Sequence, residues 1–173
     1  MSAKTPEAII KVSTSMDDML AGDAIRGARF LLADPYGVEF DGKDLAATTH
    51  LLARNPDTKD PLATMRIRFL YGTLVAWERL AVAANGPPRL LFSMVNAARR
   101  YSQAKGMTRV VGRVCDDRLQ QFWTRQGATF PEQGSKLFGG KVYLTMHLPL
   151  TPAAPPPDED IDVLEEEWYL RTR

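Results

Sequence analysis

A glutamate in the middle of the chain stands where it could take part in proton transfer. Glu78 lies within the apolar run VAWERLAV, which has the composition of a buried strand. In an alternating strand it would share a face with Leu80 and Val82, and such surroundings raise the pKa of a carboxyl toward the range of a general base. The alternative is an ion pair with Arg66 or Arg68 on a neighbouring strand.

The loop after this strand reads GPPR, and it precedes a segment with helical periodicity. The N–H groups of Gly86 and of Arg89, Leu90 and Leu91 could hold a phosphate at the start of the helix, and the Arg89 side chain would add charge. The two prolines each remove one donor. The alternative is that the prolines only begin the helix and that Arg89 is a solvated surface charge.

Three carboxylates lie close together earlier in the sequence, at Glu39, Asp41 and Asp44. Their charge could attract and orient a cationic amine or an amino acid. A metal site is disfavoured, because the spacing is not that of an EF-hand loop and neither His50 nor His147 is near in sequence. The alternative is an acidic loop that is only solvated. Both histidines fall in strand patterns, where packing is the common role.

Composition limits the classes of function. The chain has 173 residues and a formal net charge of +1, so one domain is expected and a nucleic-acid partner is disfavoured. Its one cysteine, Cys115, excludes an intramolecular disulfide framework. We expect no signal peptide and no membrane span, and therefore a cytoplasmic protein.

The periodicity along the chain predicts alternating strands and helices. Strand patterns cover residues 8–12, 49–54, 64–71, 75–82, 109–114 and 141–150, and helical patterns cover 16–33, 90–105 and 116–126. In the first helix the apolar stripe is formed by Leu20, Ala24, Ala28 and Leu31. The order β-α-β-β-β-α-β-α-β predicts an α+β domain with a mixed β-sheet flanked by helices.

The C-terminal part of the sequence has a different composition. Residues 1–150 form the predicted domain, and residues 151–157 (TPAAPPP) form a proline-rich linker. Residues 158–173 are an acidic tail with Ile161, Leu164 and Trp168 on one helical stripe. A stripe this short needs a surface on which to dock, which would belong to its own domain, to a second copy in a homodimer or to another protein.

Residues 9–150 resemble the GNAT family of N-acyltransferases. ERLAV (78–82) is similar to the family's donor strand, ATMRIR (63–68) to its third strand and QQFWTRQGA (120–128) to its late helix. The chain departs from the family at two places. Leu90 and Phe92 stand where the phosphate loop carries glycines, and Trp123 replaces the late tyrosine, which in many members protonates the departing thiolate.

A second resemblance is to acyl-homoserine-lactone and N-acyl-amino-acid synthases, GNAT relatives that take acyl chains from acyl carrier protein. Their R-x-x-x-F, W, E-x-D-x-x-D and R pattern is similar in spacing to Arg26, Phe30, Tyr36, Glu39, Asp41, Asp44 and Arg66. Those relatives also lack the glycine-rich phosphate loop.

The resemblance implies an N-acyltransferase that moves an acyl group from acetyl-CoA, another acyl-CoA or an acyl carrier protein to a small-molecule amine. Glu78 would be the catalytic base. The donor site would be formed by Leu80, Ala81, Val82, Gly86, Arg89, Leu90 and Leu91. The acceptor site would be formed by Tyr36, Glu39, Asp41, Asp44 and Arg66. Tyr143 and Cys115 are the conceivable replacements for the missing tyrosine.

A function of another class is also consistent with the sequence. The missing glycines and tyrosine favour a catalytically reduced GNAT domain that serves as a binding or regulatory module through protein–protein contacts. Glu78 and the acidic loop favour the enzyme.

Overall fold

The structure is a computed structural model that describes residues 8–32 and 39–153, and these form a seven-stranded mixed sheet with helices on both faces. The strands are β1 (Ile9–Val12), β2 (Thr48–Arg54), β3 (Pro61–Tyr71), β4 (Leu74–Val82), β5 (Arg109–Val114), β6 (Lys136–Phe138) and β7 (Lys141–Pro149). The helices are α1 (Met16–Arg26), α2 (Leu90–Ala104) and α3 (Asp117–Arg125). A π-helical turn (Gly27–Leu32) continues α1, and a 3-10 turn covers Gly42–Asp44.

The strands lie in the order β1-β2-β3-β4-β5-β7-β6, and every neighbouring pair is antiparallel except β4 and β5. The first four strands are sequential neighbours, and α2 provides the crossover that the parallel pair requires. The predicted α+β class, with a mixed sheet flanked by helices, is therefore confirmed.

The main core lies between the sheet and α2. It includes Met94, Ala98 and Tyr101 of α2, together with the strand residues Met65 and Val75, all of them buried. These side chains recur at helical spacing on α2 and at every second position on the strands, as the sequence pattern requires. Trp123 joins α3 to the same core.

The opposite face of the sheet is covered by α1, and polar side chains make several of its contacts. Ser15 caps the helix by accepting a hydrogen bond from the N–H of Asp18 (3.2 Å). The buried side chain of Asp18 also lies 2.7 Å from Lys11 and 3.0 Å from Arg54. These ion pairs hold α1 on the sheet together with a small apolar cluster that contains Ile25, Leu52 and Ala81.

The predicted apolar stripe of α1 is wrong. Leu20, Ala24 and Ala28 are exposed, whereas Ile25 and Arg26 face the sheet. The physical reason is that the strands below α1 present charged side chains, so the helix turns a partly polar face toward them. Hydrophobic periodicity alone selects the wrong side of such a helix.

The strand β6 was missed by the sequence analysis. It forms a hairpin with β7 across Gly139 and Gly140, whose φ angles are +55° and +76°. Two glycines with positive φ provide the two-residue turn that matches the twist of antiparallel strands. The dipeptide between two short apolar runs was the available signal.

Among the described residues, no helix is both long enough and apolar enough to cross a membrane. The linker beyond Ala153 and the acidic tail lie outside the described residues, as does Tyr36. The predictions about them stay predictions.

Candidate functional site

The parallel strands β4 and β5 separate along their length. Their pairing covers Leu74 to Ala76 on β4 and ends at Ala76 and Val111, although β4 continues to Val82 and β5 to Val114. We call the space between these unpaired ends the wedge. Its two walls carry backbone N–H and C=O groups that are not engaged between β4 and β5, so it can accept an extended polar chain.

A bulge in β4 shapes one wall of the wedge. Arg66 of β3 pairs with Glu78, and two residues away Thr64 pairs with Ala81, so β4 contains one additional residue at this point. Arg79 lies in the bulge with a φ of +54°, a left-handed conformation that is uncommon for a residue with a side chain.

The bulge changes the faces on which side chains lie. Trp77 and Leu80 both contact the main core, whereas Glu78 and Arg79 both lie on the α1 face. The prediction that Glu78 shares a face with Leu80 and Val82 is therefore wrong, because the additional residue interrupts the alternation.

Glu78 is held by two arginines. Its Oε2 lies 2.8 Å from an Nη of Arg66, and its Oε1 accepts a hydrogen bond of 2.9 Å from Arg68. Burial alone would raise the pKa of Glu78, but the two guanidinium groups outweigh burial and lower it. The predicted raised pKa is therefore wrong, and the ion-pair alternative is what the structure contains.

The acidic loop is the counter-charge of buried arginines. Arg26 is fully buried, and its guanidinium contacts Glu39 Oε1 at 2.7 Å and Asp44 Oδ1 at 2.7 Å. Arg66 reaches the same Asp44 oxygen at 2.9 Å and Asp41 at 3.1 Å. These carboxylates are thus already paired, which differs both from a free cation-binding loop and from a merely solvated one.

Two carboxyls of this loop respond to burial in opposite directions. Burial raises the pKa of Glu39 above its ordinary value, even though Arg26 and Arg79 oppose the effect. Burial also acts on Asp44, but the hydrogen bonds from Arg26 and Arg66 outweigh it and lower the pKa of Asp44 to about 2. Asp44 is therefore a fixed negative charge at the centre of the cluster.

The cluster extends to the bulge through Glu39. The Oε2 of Glu39 lies 2.9 Å from Nε of Arg79, in an ion pair rather than a well-aligned hydrogen bond. The guanidinium carbon of Arg79 also lies 5.8 Å from the ring centre of Phe30 on the π-helical turn. Neither Arg68 nor Arg79 is among the predicted site residues, although the sequence offers Arg68 as an ion-pair partner of Glu78.

Several N–H groups of the loop after β4 donate hydrogen bonds to carbonyl groups of the same loop. Leu90 donates to the carbonyl of Pro87 at 2.9 Å, and Leu91 donates more weakly to that of Pro88 at 3.4 Å. Gly86 donates to the carbonyl of Ala83 at 2.9 Å. A phosphate at this place would therefore depend more on the exposed Arg89 side chain than on a ring of backbone donors.

The residues at the two altered family positions have packing roles. Leu90 is buried in the main core, and Phe92 is half exposed with its ring 5.0 Å from that of Phe122. Trp123 is buried, with its ring 6.0 Å from Trp77. An indole in the core is a hydrogen-bond donor and not a proton source for a leaving thiolate.

The predicted acceptor residues are brought together in part. Glu39, Asp41, Asp44 and Arg66 form one ionic cluster on the α1 face, and Glu78 adjoins it through Arg66. The predicted donor residues follow the wall of the wedge and the loop after it. His50 has a packing position, with Nε2 3.0 Å from the Asp44 carbonyl.

Comparisons with known proteins bear on the fold. No family model matches the sequence, and no curated protein matches it. A solved protein assigned as an N-acetyltransferase from Lactobacillus plantarum is 20% identical, with a TM-score of 0.73, over 83% of this chain and 98% of that one. An acyl-CoA N-acyltransferase from Pseudomonas aeruginosa is 20% identical, with a TM-score of 0.70, over 82% and 98% of the two chains.

A third solved structure represents the second resemblance. FeeM, an N-acyl amino acid synthase from uncultured soil microbes, is 12% identical, with a TM-score of 0.68, over 84% of this chain and 93% of that one. At such identities the likeness concerns the fold. The chain has the α+β fold of the GNAT N-acyltransferases, as the sequence predicted.

Proposed function

We propose that the protein is an N-acyltransferase that moves an acyl group from a thioester to a small-molecule amine. The observation that carries the proposal is the wedge between β4 and β5, in a fold shared with solved acyl-CoA N-acyltransferases. The thioester arm would lie between the two strand ends, where backbone groups of Leu80, Ala81 and Val82 can hydrogen-bond to its amides.

The chemistry requires one bond to form and one to break. The deprotonated amine attacks the thioester carbonyl, the new C–N bond forms, the C–S bond breaks, the nitrogen loses one further proton to give the amide, and the thiolate takes a proton. The ammonium proton must leave before the attack. Among the described residues, Glu78 is the carboxylate closest in sequence to the wedge wall, two residues beyond the end of the pairing with β5.

The surroundings of Glu78 define the role that we propose for it. Since its pKa is lowered, Glu78 is ionised at neutral pH, and a lone pair that Arg66 and Arg68 do not use can accept a hydrogen bond from the amine. A carboxylate with a low pKa takes a proton inefficiently, so the final acceptor of the proton is solvent, reached through water. Glu78 thus orients the amine more than it deprotonates it.

The donor is a phosphopantetheine thioester, from acetyl-CoA, a longer acyl-CoA or an acyl carrier protein. The turns that engage Leu90 and Leu91 disfavour tight recognition of a pyrophosphate, which is the part that distinguishes CoA. Arg89 at the end of this loop is exposed, and Phe92 in the first turn of α2 is half exposed. The engaged loop N–H groups and the exposed Arg89 and Phe92 together favour a donor that is held mainly by its phosphopantetheine arm and its acyl chain.

Thermal-shift titration of the whole chain tests the donor directly. Acetyl-CoA, a long-chain acyl-CoA and an acylated carrier protein are compared at equal concentration. A true donor at about 100 times its Kd stabilises the folded state by about 2.7 kcal/mol, a shift of roughly 5 to 10 °C for a chain of this size. If none of the three changes the melting temperature, the proposed donor site is wrong.

Arg89→Ala identifies the place of binding. Loss of one exposed charge should weaken the donor by about two- to fivefold. Arg100→Ala removes an exposed arginine farther along the same helix and should leave donor affinity unchanged. Equal affinity for both variants in calorimetric titration would remove Arg89 from the site.

A binding or regulatory module is the second candidate. The buried Trp123 and the internally engaged loop are the observations that favour it, because both remove parts used in acyl transfer by related folds. The two functions differ in one measurement. An enzyme that binds the donor should release free thiol when an amine acceptor is supplied, whereas a module binds without releasing thiol.

A further inference from the structure

The ion pair between Glu39 and Arg79 connects two parts of the molecule that have different predicted tasks. Glu39 belongs to the loop on the acceptor side, and Arg79 occupies the bulge in the donor strand. The Glu39 side chain is completely buried, and each of its oxygens approaches a different guanidinium, Arg26 at 2.7 Å and Arg79 at 2.9 Å. Glu39 is therefore fixed from one side by Arg26 and can hold Arg79 from the other.

The backbone of Arg79 needs to be held. A residue with a side chain is strained in the left-handed region, and Arg79 adopts a φ of +54° there. If β4 alternated regularly through this position, the bulge would be lost. The side chains of the following residues would then lie on the opposite face of the sheet, because the side-chain period of a strand is two. Leu80, Ala81 and Val82 form the wall of the wedge, and their register against β3 follows from the bulge at Arg79.

We propose that Arg79 and Glu39 are positioning residues for the donor-binding wall: their ion pair holds the left-handed backbone at Arg79 and thereby fixes the direction of residues 80–82. The π-helical turn supports the same arrangement, because Phe30 stacks against the Arg79 guanidinium. The proposal rests on the proposed function for its consequence in donor binding.

Three substitutions of Arg79 distinguish the contribution of its side chain from that of its backbone conformation. Arg79→Ala removes the ion pair and leaves a residue that disfavours positive φ. Arg79→Gly removes the same ion pair but leaves a residue that adopts positive φ without strain. Arg79→Lys retains the charge. Arg109→Gln, on an exposed arginine at the start of β5, is the control for loss of positive charge.

Amide hydrogen exchange of residues 80–82 in the full chain is the first measurement, and it needs no ligand. Arg79→Ala should raise exchange there about tenfold. The ion pair no longer opposes the left-handed strain of a non-glycine residue, and that strain corresponds to about this factor. Arg79→Gly should raise it clearly less, and Arg79→Lys and Arg109→Gln should match the wild type. Equal exchange in the alanine and glycine variants, or no change in either, overturns the proposal. If the alanine variant does not fold, Arg79→Gln replaces it with the same expectation.

Donor affinity is the second measurement, made well below the melting temperature so that stability does not contribute. Where the wild type binds a long-chain acyl-CoA, the alanine variant should bind it about tenfold more weakly, and the glycine variant should bind it more tightly than the alanine variant. Affinities that are equal in all variants overturn the consequence for binding. A wild type that binds no acyl-CoA contradicts the proposed function instead, and the exchange pattern still decides the role of Arg79.

Discussion

At the scale of single residues, the site is organised by arginines rather than by a free carboxylate. Arg26 and Arg66 have almost no exposed side-chain surface, so each must have counter-charges nearby. Glu39, Asp44 and Glu78 supply them. A carboxylate used in this way keeps its charge and its position, which suits orientation of an amine through a hydrogen bond better than repeated proton transfer.

The low pKa of Asp44 predicts a specific pH dependence of stability. A carboxyl whose pKa falls from 3.8 to about 2 on folding contributes stability that is complete above pH 4 and is lost as the pH falls toward 2. The difference corresponds to about 2 kcal/mol. Asp44→Asn should therefore lower the free energy of unfolding at neutral pH and flatten its dependence on pH between 4 and 2.

Urea unfolding across this pH range measures the effect. Asp57→Asn, in an exposed turn, is the control and should retain the wild-type slope. Glu39 is unsuitable as a control, because its raised pKa contributes with the opposite sign: it favours folding less as the pH rises through its folded pKa. A wild-type slope in Asp44→Asn would contradict the assigned role of Asp44.

Glu78→Gln should affect stability as well as any turnover. The amide keeps the shape of the side chain but leaves Arg66, which is buried, with less compensation. We expect a loss of about 1 to 3 kcal/mol in unfolding free energy, whereas Glu132→Gln on the exposed surface should cost little. Turnover on an identified amine should also fall, and wild-type turnover in this variant would exclude Glu78 from the reaction.

At the scale of elements, the loop after β4 is shaped by close packing at Gly86. A Cβ added there would lie 2.6 Å from Cγ1 of Val82 and 2.9 Å from the carbonyl oxygen of Leu62. The second of these is backbone and cannot move away cheaply. Gly86→Ala should therefore destabilise the fold by about 1 to 3 kcal/mol. Gly42→Ala is the matched control, because a Cβ there meets nothing within 4 Å.

Denaturant unfolding of both variants checks this packing argument. A Gly86→Ala protein with the wild-type midpoint would show that Val82 and Leu62 accommodate the added Cβ without cost. In that case close packing at Gly86 would not shape the loop.

Most of the strands and helices could be predicted from the sequence, because their periodicity is local. β2, β4, β5 and α2 lie where the pattern of apolar residues places them, within one or two residues of the predicted bounds. The fold class followed from their order. The errors occurred where a local pattern does not determine the outcome. The inner face of α1 depends on charges of other strands, and alternation in β4 ends at a bulge that no local motif marks.

The sequence predicts most of the residues that meet in the candidate site, but not the contacts that they make with one another. The spacing of Glu39, Asp41, Asp44 and Arg66 indicated a common site, and these side chains do meet. The ion pairs of Glu39 and Asp44 with Arg26, and that of Glu39 with Arg79, could not be inferred, since they depend on which faces α1 and the bulge present. The predicted raised pKa of Glu78 failed for the same reason.

At the scale of the whole molecule, the two sides of the sheet have different tasks. The α2 side supplies most of the apolar burial, and the α1 side supplies the ionic cluster next to the wedge. The proposed donor and acceptor would thus meet at the wedge, where apolar packing fixes the residues on one side and ion pairs fix those on the other. Ionic contacts on one side are sensitive to pH, while the packed core on the other side is not.

Two hydrogen bonds connect the C-terminal end of the domain to α2, and they determine where the chain should be shortened to test the tail. Gln103 at the end of α2 donates a hydrogen bond of 2.7 Å to the carbonyl of Thr151 and accepts one of 3.3 Å from the N–H of Ala153. A chain shortened after Ala153 keeps both contacts, and one shortened after Leu150 loses both. Each lost hydrogen bond costs about 1 kcal/mol, so the shorter chain should be the less stable of the two.

Both shortened chains should fold, because Leu150 is the last residue of the main core within the part of the chain that the structure describes. If the tail docks through Ile161, Leu164 and Trp168, the chain ending at Ala153 should differ from full length in light scattering or in capture of a partner. The comparison with this chain isolates the tail, since its contacts to α2 are intact. Identical assembly and capture, with tail amides that exchange as in a random coil, would show that residues 158–173 do not dock.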